Sequence, residues 1–139
     1  MDFLVNVSSY TKSYKSGNFS ALQRGEEMNL SVEVEETSGS LLNEEVKITL
    51  IVRNVVGQEK EIYSLEENWE KGKSKNITFS NITINELIEI NSEKTNDFYL
   101  KIASGGTEKI INLDKKIYAY DYTKSIVLND KIEYNLISG

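Results

Sequence analysis

The chain has 139 residues, 39% hydrophobic and 27% charged, which gives enough apolar content to fold and a length that suits one domain over residues 1–139. Its 22 acidic residues outweigh 16 basic ones for a formal net charge of -6, and no block of Lys or Arg offsets the repulsion a phosphate backbone would meet, so nucleic acid is not an expected partner. Histidine and cysteine are both absent, which excludes His-based triads, thiolate nucleophiles, disulfides and the usual zinc ligands.

The first apolar stretch lies in Met-Asp-Phe-Leu-Val-Asn-Val. It is too short for a membrane span and lacks the basic leader of a signal peptide, so it reads as a first strand. If the natural protein is exported, its signal or anchor is expected to lie outside this sequence, with Met1 an added start residue.

Two segments then alternate at period two. Residues 28–35 place Leu30, Val32 and Val34 on one side and Asn29, Ser31, Glu33 and Glu35 on the other. Residues 46–53 place Val46, Ile48, Leu50 and Val52 opposite Lys47, Thr49 and Arg53. Both are strands with one buried face. In 73–84 the parity switches, from Ile77 and Phe79 to Ile82 and Ile84, which predicts a bulge or turn near Ser80 and Asn81. Residues 85–90 are the one helix candidate, with Asn85 as its N-cap, and fit a short strand equally well.

Residues 98–103 bury Phe98, Leu100 and Ile102, and Ser104-Gly105-Gly106-Thr107 supplies a tight hairpin. With Gly105 and Gly106 as the loop, Leu100 faces Ile111 and Phe98 faces Leu113. Further strands are expected over 116–122, 125–128 and 131–136, with Asn129-Asp130 as a turn that pairs Val127 with Ile132. The sum is roughly eight to ten short strands with turn residues near every tenth position, the pattern of a two-sheet antiparallel sandwich or a barrel. The long helices of βαβ crossovers are missing, which disfavours a parallel sheet. Proline is absent too, so protection of the sheet edges is assigned to Lys47, Arg53, Lys101 and Lys109.

Five kinds of residue are candidates for chemistry or binding. Asp97, Asp114, Asp121 and Asp130 are formally available for paired-carboxylate hydrolysis, although most such groups sit on wet strand faces and turns, and no enzyme is expected. Asn96-Asp97 and Asn129-Asp130 are conceivable calcium ligands without EF-hand spacing, so neither a metal site nor a cofactor is predicted. Asn-x-Ser/Thr triplets beginning at Asn6, Asn18, Asn29, Asn76 and Asn81 are glycan acceptor patterns. Finally, Tyr118, Tyr120 and Tyr122 share one parity against Ile117 and Ala119. They form either a platform for a sugar or a partner's apolar patch, or a cover for the sheet. Trp69, in a loop position amid charged residues, is either a lid over the sandwich end or a contact residue.

The segment Gln23-Arg24-Gly25-Glu26-Glu27-Met28-Asn29-Leu30-Ser31-Val32-Glu33-Val34, a polar loop, and then Val46-Lys47-Ile48-Thr49-Leu50 together resemble the second and third strands of immunoglobulin-like modules of archaeal and bacterial cell-surface proteins. Trp69-Glu70-Lys71-Gly72 ahead of Ile77 is similar to the same modules. The resemblance implies an immunoglobulin-like β-sandwich, placed outside the cell or at its surface, that mediates adhesion or protein-protein assembly, including self-assembly, without catalysis. Two alternatives accompany it: a carbohydrate-binding module using the tyrosine face, and an accessory subunit of an archaeal surface filament or motility apparatus. The binding residues nominated are Tyr118, Tyr120, Tyr122 and Trp69.

Overall fold

Alternating segments become strands because each can hide its apolar row only against another sheet. A computed structural model describes residues 2–13, 15–16, 19–38 and 44–121. Nine strands run through them: β1 (Phe3–Lys12), β2 (Lys15–Ser16), β3 (Ala21–Gln23), β4 (Met28–Glu36), β5 (Glu44–Arg53), β6 (Glu59–Trp69), β7 (Ser74–Ile82), β8 (Asn96–Ser104) and β9 (Thr107–Tyr120). One sheet has the order β2-β1-β4-β7 and the other β3-β9-β8-β5-β6. This is the strand order of an immunoglobulin-like sandwich, with β6 widening the second sheet.

The interior joins the inward rows of both sheets, including Val32 and Val34 of β4, Ile48 and Leu50 of β5, and Leu100 and Ile102 of β8. These are the aliphatic positions the alternation singles out. At one end Trp69 lies edge-on to Phe3, ring centroids 5.6 Å apart, and its Nε1 donates to the Lys73 carbonyl at 2.9 Å.

Among the described residues every ladder is antiparallel except one. After β1 pairs with β4, the chain crosses to the other sheet, and β3 lies parallel to β9 with Leu22 opposite Ala119. No helix is needed, because the crossover passes between sheets rather than along one. Three residues are enough to bury Leu22 completely.

Register shifts interrupt four ladders, at Val7/Ser9, Met28/Leu30, Leu50/Ile51 and Asp97/Tyr99, and two of them carry a residue at left-handed φ. At Asn81, with φ 60, β7 gains one residue against β4, so that Met28 faces Ile82 while Leu30 faces Phe79. The predicted change of parity is therefore a bulge in one bent strand. Tyr63 of β6 covers it, donating its hydroxyl to the Ser80 carbonyl at 2.6 Å. The Gly105-Gly106 hairpin has the predicted register at Leu100 and Ile111, with both glycines at positive φ. Phe98 does not face Leu113, however. Tyr99 pairs with Asn112 and Asp97 with Lys116, so β9 carries two extra residues around Asp114, whose φ is 55. What reads as two strands on either side of Asp114 is one continuous β9.

Three further expectations are corrected. In place of a helix over 85–90 there is a 3-10 turn at Ile84–Glu86, capped by Thr83 rather than Asn85. Trp69 ends β6 instead of lying in a loop. Lys47, Arg53 and Lys101 stand on the inner strands β5 and β8, so they guard no edge; the long edge strand β6 instead carries Glu59, Glu61, Glu66 and Glu67. The strands expected beyond residue 122 and the Asn129-Asp130 turn lie outside the described residues.

A buried amide fixes the approach to β8. Asn96 is fully buried; its Oδ1 accepts from the Ile88 and Glu89 amides at 2.8 Å each, and its Nδ2 donates to the carbonyls of Glu89 (2.8 Å) and Ile117 (3.1 Å). Asn96→Leu strands those four backbone groups without partners. It is expected to lower the unfolding free energy by about 3 kcal/mol, read as a shift in the urea midpoint at constant slope.

Candidate functional site

Because Ile117 and Ala119 point into the core, Tyr118 and Tyr120 point out of the five-stranded sheet. Both are half-buried, and their rings stack with centroids 6.3 Å apart and planes 21° apart. Their neighbours across the parallel ladder are Ala21 and Gln23. Tyr122 lies outside the described residues.

Further along the same outer face, the guanidinium of Arg53 sits 4.3 Å from the ring centre of Tyr99 and bonds Glu59 at 2.9 Å. Beyond it a shallow groove of ≈ 340 Å³ runs between Ile51, Ile110, Lys101, Glu59, Glu61 and Glu108. Ile110 is 47% exposed there, and Lys101 bonds Glu61 across the floor at 3.0 Å. Aromatic and aliphatic surface is thus framed by ion pairs.

Trp69 is not part of this face. It is 0% exposed, so it offers a partner no surface. The carboxylate candidates are also engaged or dispersed. Asp97 accepts from Lys116 Nζ at 3.0 Å and Thr95 Oγ1 at 2.9 Å, and Asp121 holds Arg24 through two bonds of 2.9 and 2.7 Å. Asn96 has spent both ends of its amide on the backbone, leaving no oxygen for calcium. Among the described residues no three acidic side chains gather as a metal ion would require.

One group that the sequence pattern does not reveal is Lys115. Asn112 Oδ1 accepts from the Asp114 amide at 2.9 Å, and the left-handed turn at Asp114 leaves the next side chain facing inward. Lys115 is consequently 9% exposed. Its ammonium lies 3.4 Å from the ring centre of Tyr10 and 4.5 Å from that of Phe19, and donates to the Phe19 carbonyl at 2.8 Å. Among the described residues no carboxylate pairs with it. Lys12 approaches the same Phe19 ring at 5.4 Å, so two cations share one π-system. A cleft of ≈ 450 Å³ opens beside Lys115, lined also by Val7, Ser20 and Leu113. Burial pushes the Lys115 ammonium down to about 8 from 10.5, which leaves much of it as a nucleophilic free amine in mildly alkaline solution.

No family model and no curated protein matches the sequence. Among solved structures, a beta-glucosidase from Listeria innocua matches both in complex with gluconolactone and in complex with glucose, each at 15% identity and a TM-score of 0.49. Each match covers 86% of this chain and 16% of that one, so the chain spans about a sixth of the enzyme's length.

The Lys115 site has a pH signature. With a folded pKa near 8 against 10.5, the unfolded chain holds a proton that the folded chain has released throughout the window between them, so stability from this group rises with pH there. Lys115→Met abolishes the titration. The stability of the wild-type chain relative to this variant is expected to climb between pH 8 and 10.5 and to be flat below pH 7, measured by urea unfolding across the range.

Proposed function

We propose that this chain is a non-catalytic module that mediates protein-protein assembly or adhesion at a cell surface through the outer face of its five-stranded sheet. The contrast between the two outer faces carries this reading. The five-stranded sheet displays Tyr118, Tyr120, Tyr99 and Arg53, residue types that anchor protein interfaces, and beside them a groove in which Ile110 is flanked by charged side chains. The four-stranded sheet shows mainly amides, hydroxyls and carboxylates, with Leu4, 52% exposed, near its start. A lone tyrosine on a sheet is ordinary; several arranged with Arg and Ile on one face offer large contact area at low entropic cost.

A second reading draws on one specific observation. The near-parallel stack of Tyr118 and Tyr120 gives a flat ring surface of the kind that packs against the faces of sugars. On this second reading the sugar would bind at the β3 end of the sheet, away from the Ile110 groove.

Light scattering over a concentration series and retention on isolated cell envelopes test the first reading. Growth in mass or retention is expected, and Ile110→Lys is expected to weaken it at least tenfold with the melting temperature unchanged, because the position is solvent-facing. A chain that stays monomeric and is not retained overturns the assembly reading. Binding on a glycan array that is lost in Tyr118→Ala would establish the carbohydrate reading in its place.

A further inference from the structure

Four of the five Asn-x-Ser/Thr triplets begin, among the described residues, on one surface. Asn6 on β1, Asn29 on β4, and Asn76 and Asn81 on β7 are all exposed, and their strands are neighbours in the four-stranded sheet. Asn18 lies outside the described residues. On a strand, residues two apart share a side, so Asn6 and Ser8, Asn29 and Ser31, and Asn76 and Thr78 stand together on the outer face while Val7, Leu30 and Ile77 between them point toward the core. The fourth acceptor, Asn81, is turned outward by the bulge at φ 60, and the Ile82 that follows it is fully buried.

Alternation alone does not produce this grouping. Strands β5, β6, β8 and β9 alternate as well, yet their outward positions carry Glu, Lys, Arg and Tyr and contain no triplet. The acceptors are also mutually placed. Asn6 and Asn76 flank Glu33 in register, and the Asn29 amide oxygen accepts from the Asn81 backbone N–H at 3.0 Å. Ser8 Oγ donates to Asn76 Oδ1 at 2.8 Å. In both bonded cases the amide oxygen is engaged and Nδ2, the atom that receives a glycan, makes no bond among the described residues.

We propose that the outer face of the four-stranded sheet is a glycosylated surface, with Asn6, Asn29, Asn76 and Asn81 as acceptors for N-linked oligosaccharide. The donor is a lipid-linked glycosyl diphosphate. Nδ2 bonds to the anomeric carbon of the sugar, the bond from that carbon to the diphosphate oxygen breaks, the diphosphate carrier leaves, and the amide gives up one proton to a base. Glycans on this side shield the polar sheet and leave the tyrosine-bearing face of the opposite sheet for contact. The inference rests on the reading of the chain as a cell-surface module, since acceptors meet such donors at a membrane on the way out of the cell.

The test is glycopeptide mapping by mass spectrometry of the protein isolated from its own cells, with fractionation of the same cells. Sugar mass on one or more of these four asparagines is the expected result, with the protein in the surface or external fraction. Bare peptides at all four, on protein recovered from that fraction, overturn the inference and leave the surface reading standing. Bare peptides on protein confined to the cytoplasm overturn both.

Discussion

The interior of this sandwich is held by aliphatic side chains meeting between the two sheets, and the sequence has no cysteine to add a disulfide. Val32 and Val34 on one sheet and Ile48 and Leu50 on the other are fully excluded from water, each contributing about 1.5–3 kcal/mol relative to exposure. With little else to close the fold, each long strand must keep one parity facing inward, and the opposite parity is left free to vary. That freedom is what gives the molecule two different outer faces.

Where the strands cannot keep parity they bulge, and the bulges are the positions with chemical consequence. Asn81 and Asp114 adopt left-handed backbone that short polar side chains tolerate, each supported by a neighbouring asparagine oxygen. One turns an amide outward. The other leaves Lys115 between two aromatic rings at the seam of the sheets, where ring faces and a carbonyl replace the hydration of its ammonium. Polar groups inside the sandwich are otherwise matched: among the described residues no buried side-chain nitrogen or oxygen lacks a partner. Asn96 shows the same economy, with one amide satisfying four backbone groups where the chain turns into β8.

The two faces divide the surface chemically. One is a field of hydroxyls, amides and carboxylates. The other combines stacked phenols, an arginine over a tyrosine and an exposed isoleucine between ion pairs. A partner seeking desolvated apolar contact has reason to choose the second, and bulky polar additions are tolerated on the first without touching the core.

By itself the amino-acid order determined the inward aliphatic rows of β4, β5, β8 and most of β9, the glycine hairpin with its Leu100 to Ile111 register, and the disruption at Asn81, because period-two patterning and turn chemistry act over a few neighbouring residues; the burial of Thr49 and Ser31 on the opposite parity went against that reading. It also placed Tyr118 and Tyr120 on one side. The edge strand β6 was not legible, since its apolar residues are broken by charge and by a register shift opposite Leu50 and Ile51, so that only its partner β5 makes it a strand. Trp69's burial, the parallel β3 and β9 pair, the encaged Lys115 and the gathering of four acceptor asparagines on one sheet were decided by the tertiary structure alone. Each depends on segments tens of residues apart being brought side by side, and no local periodicity carries that information.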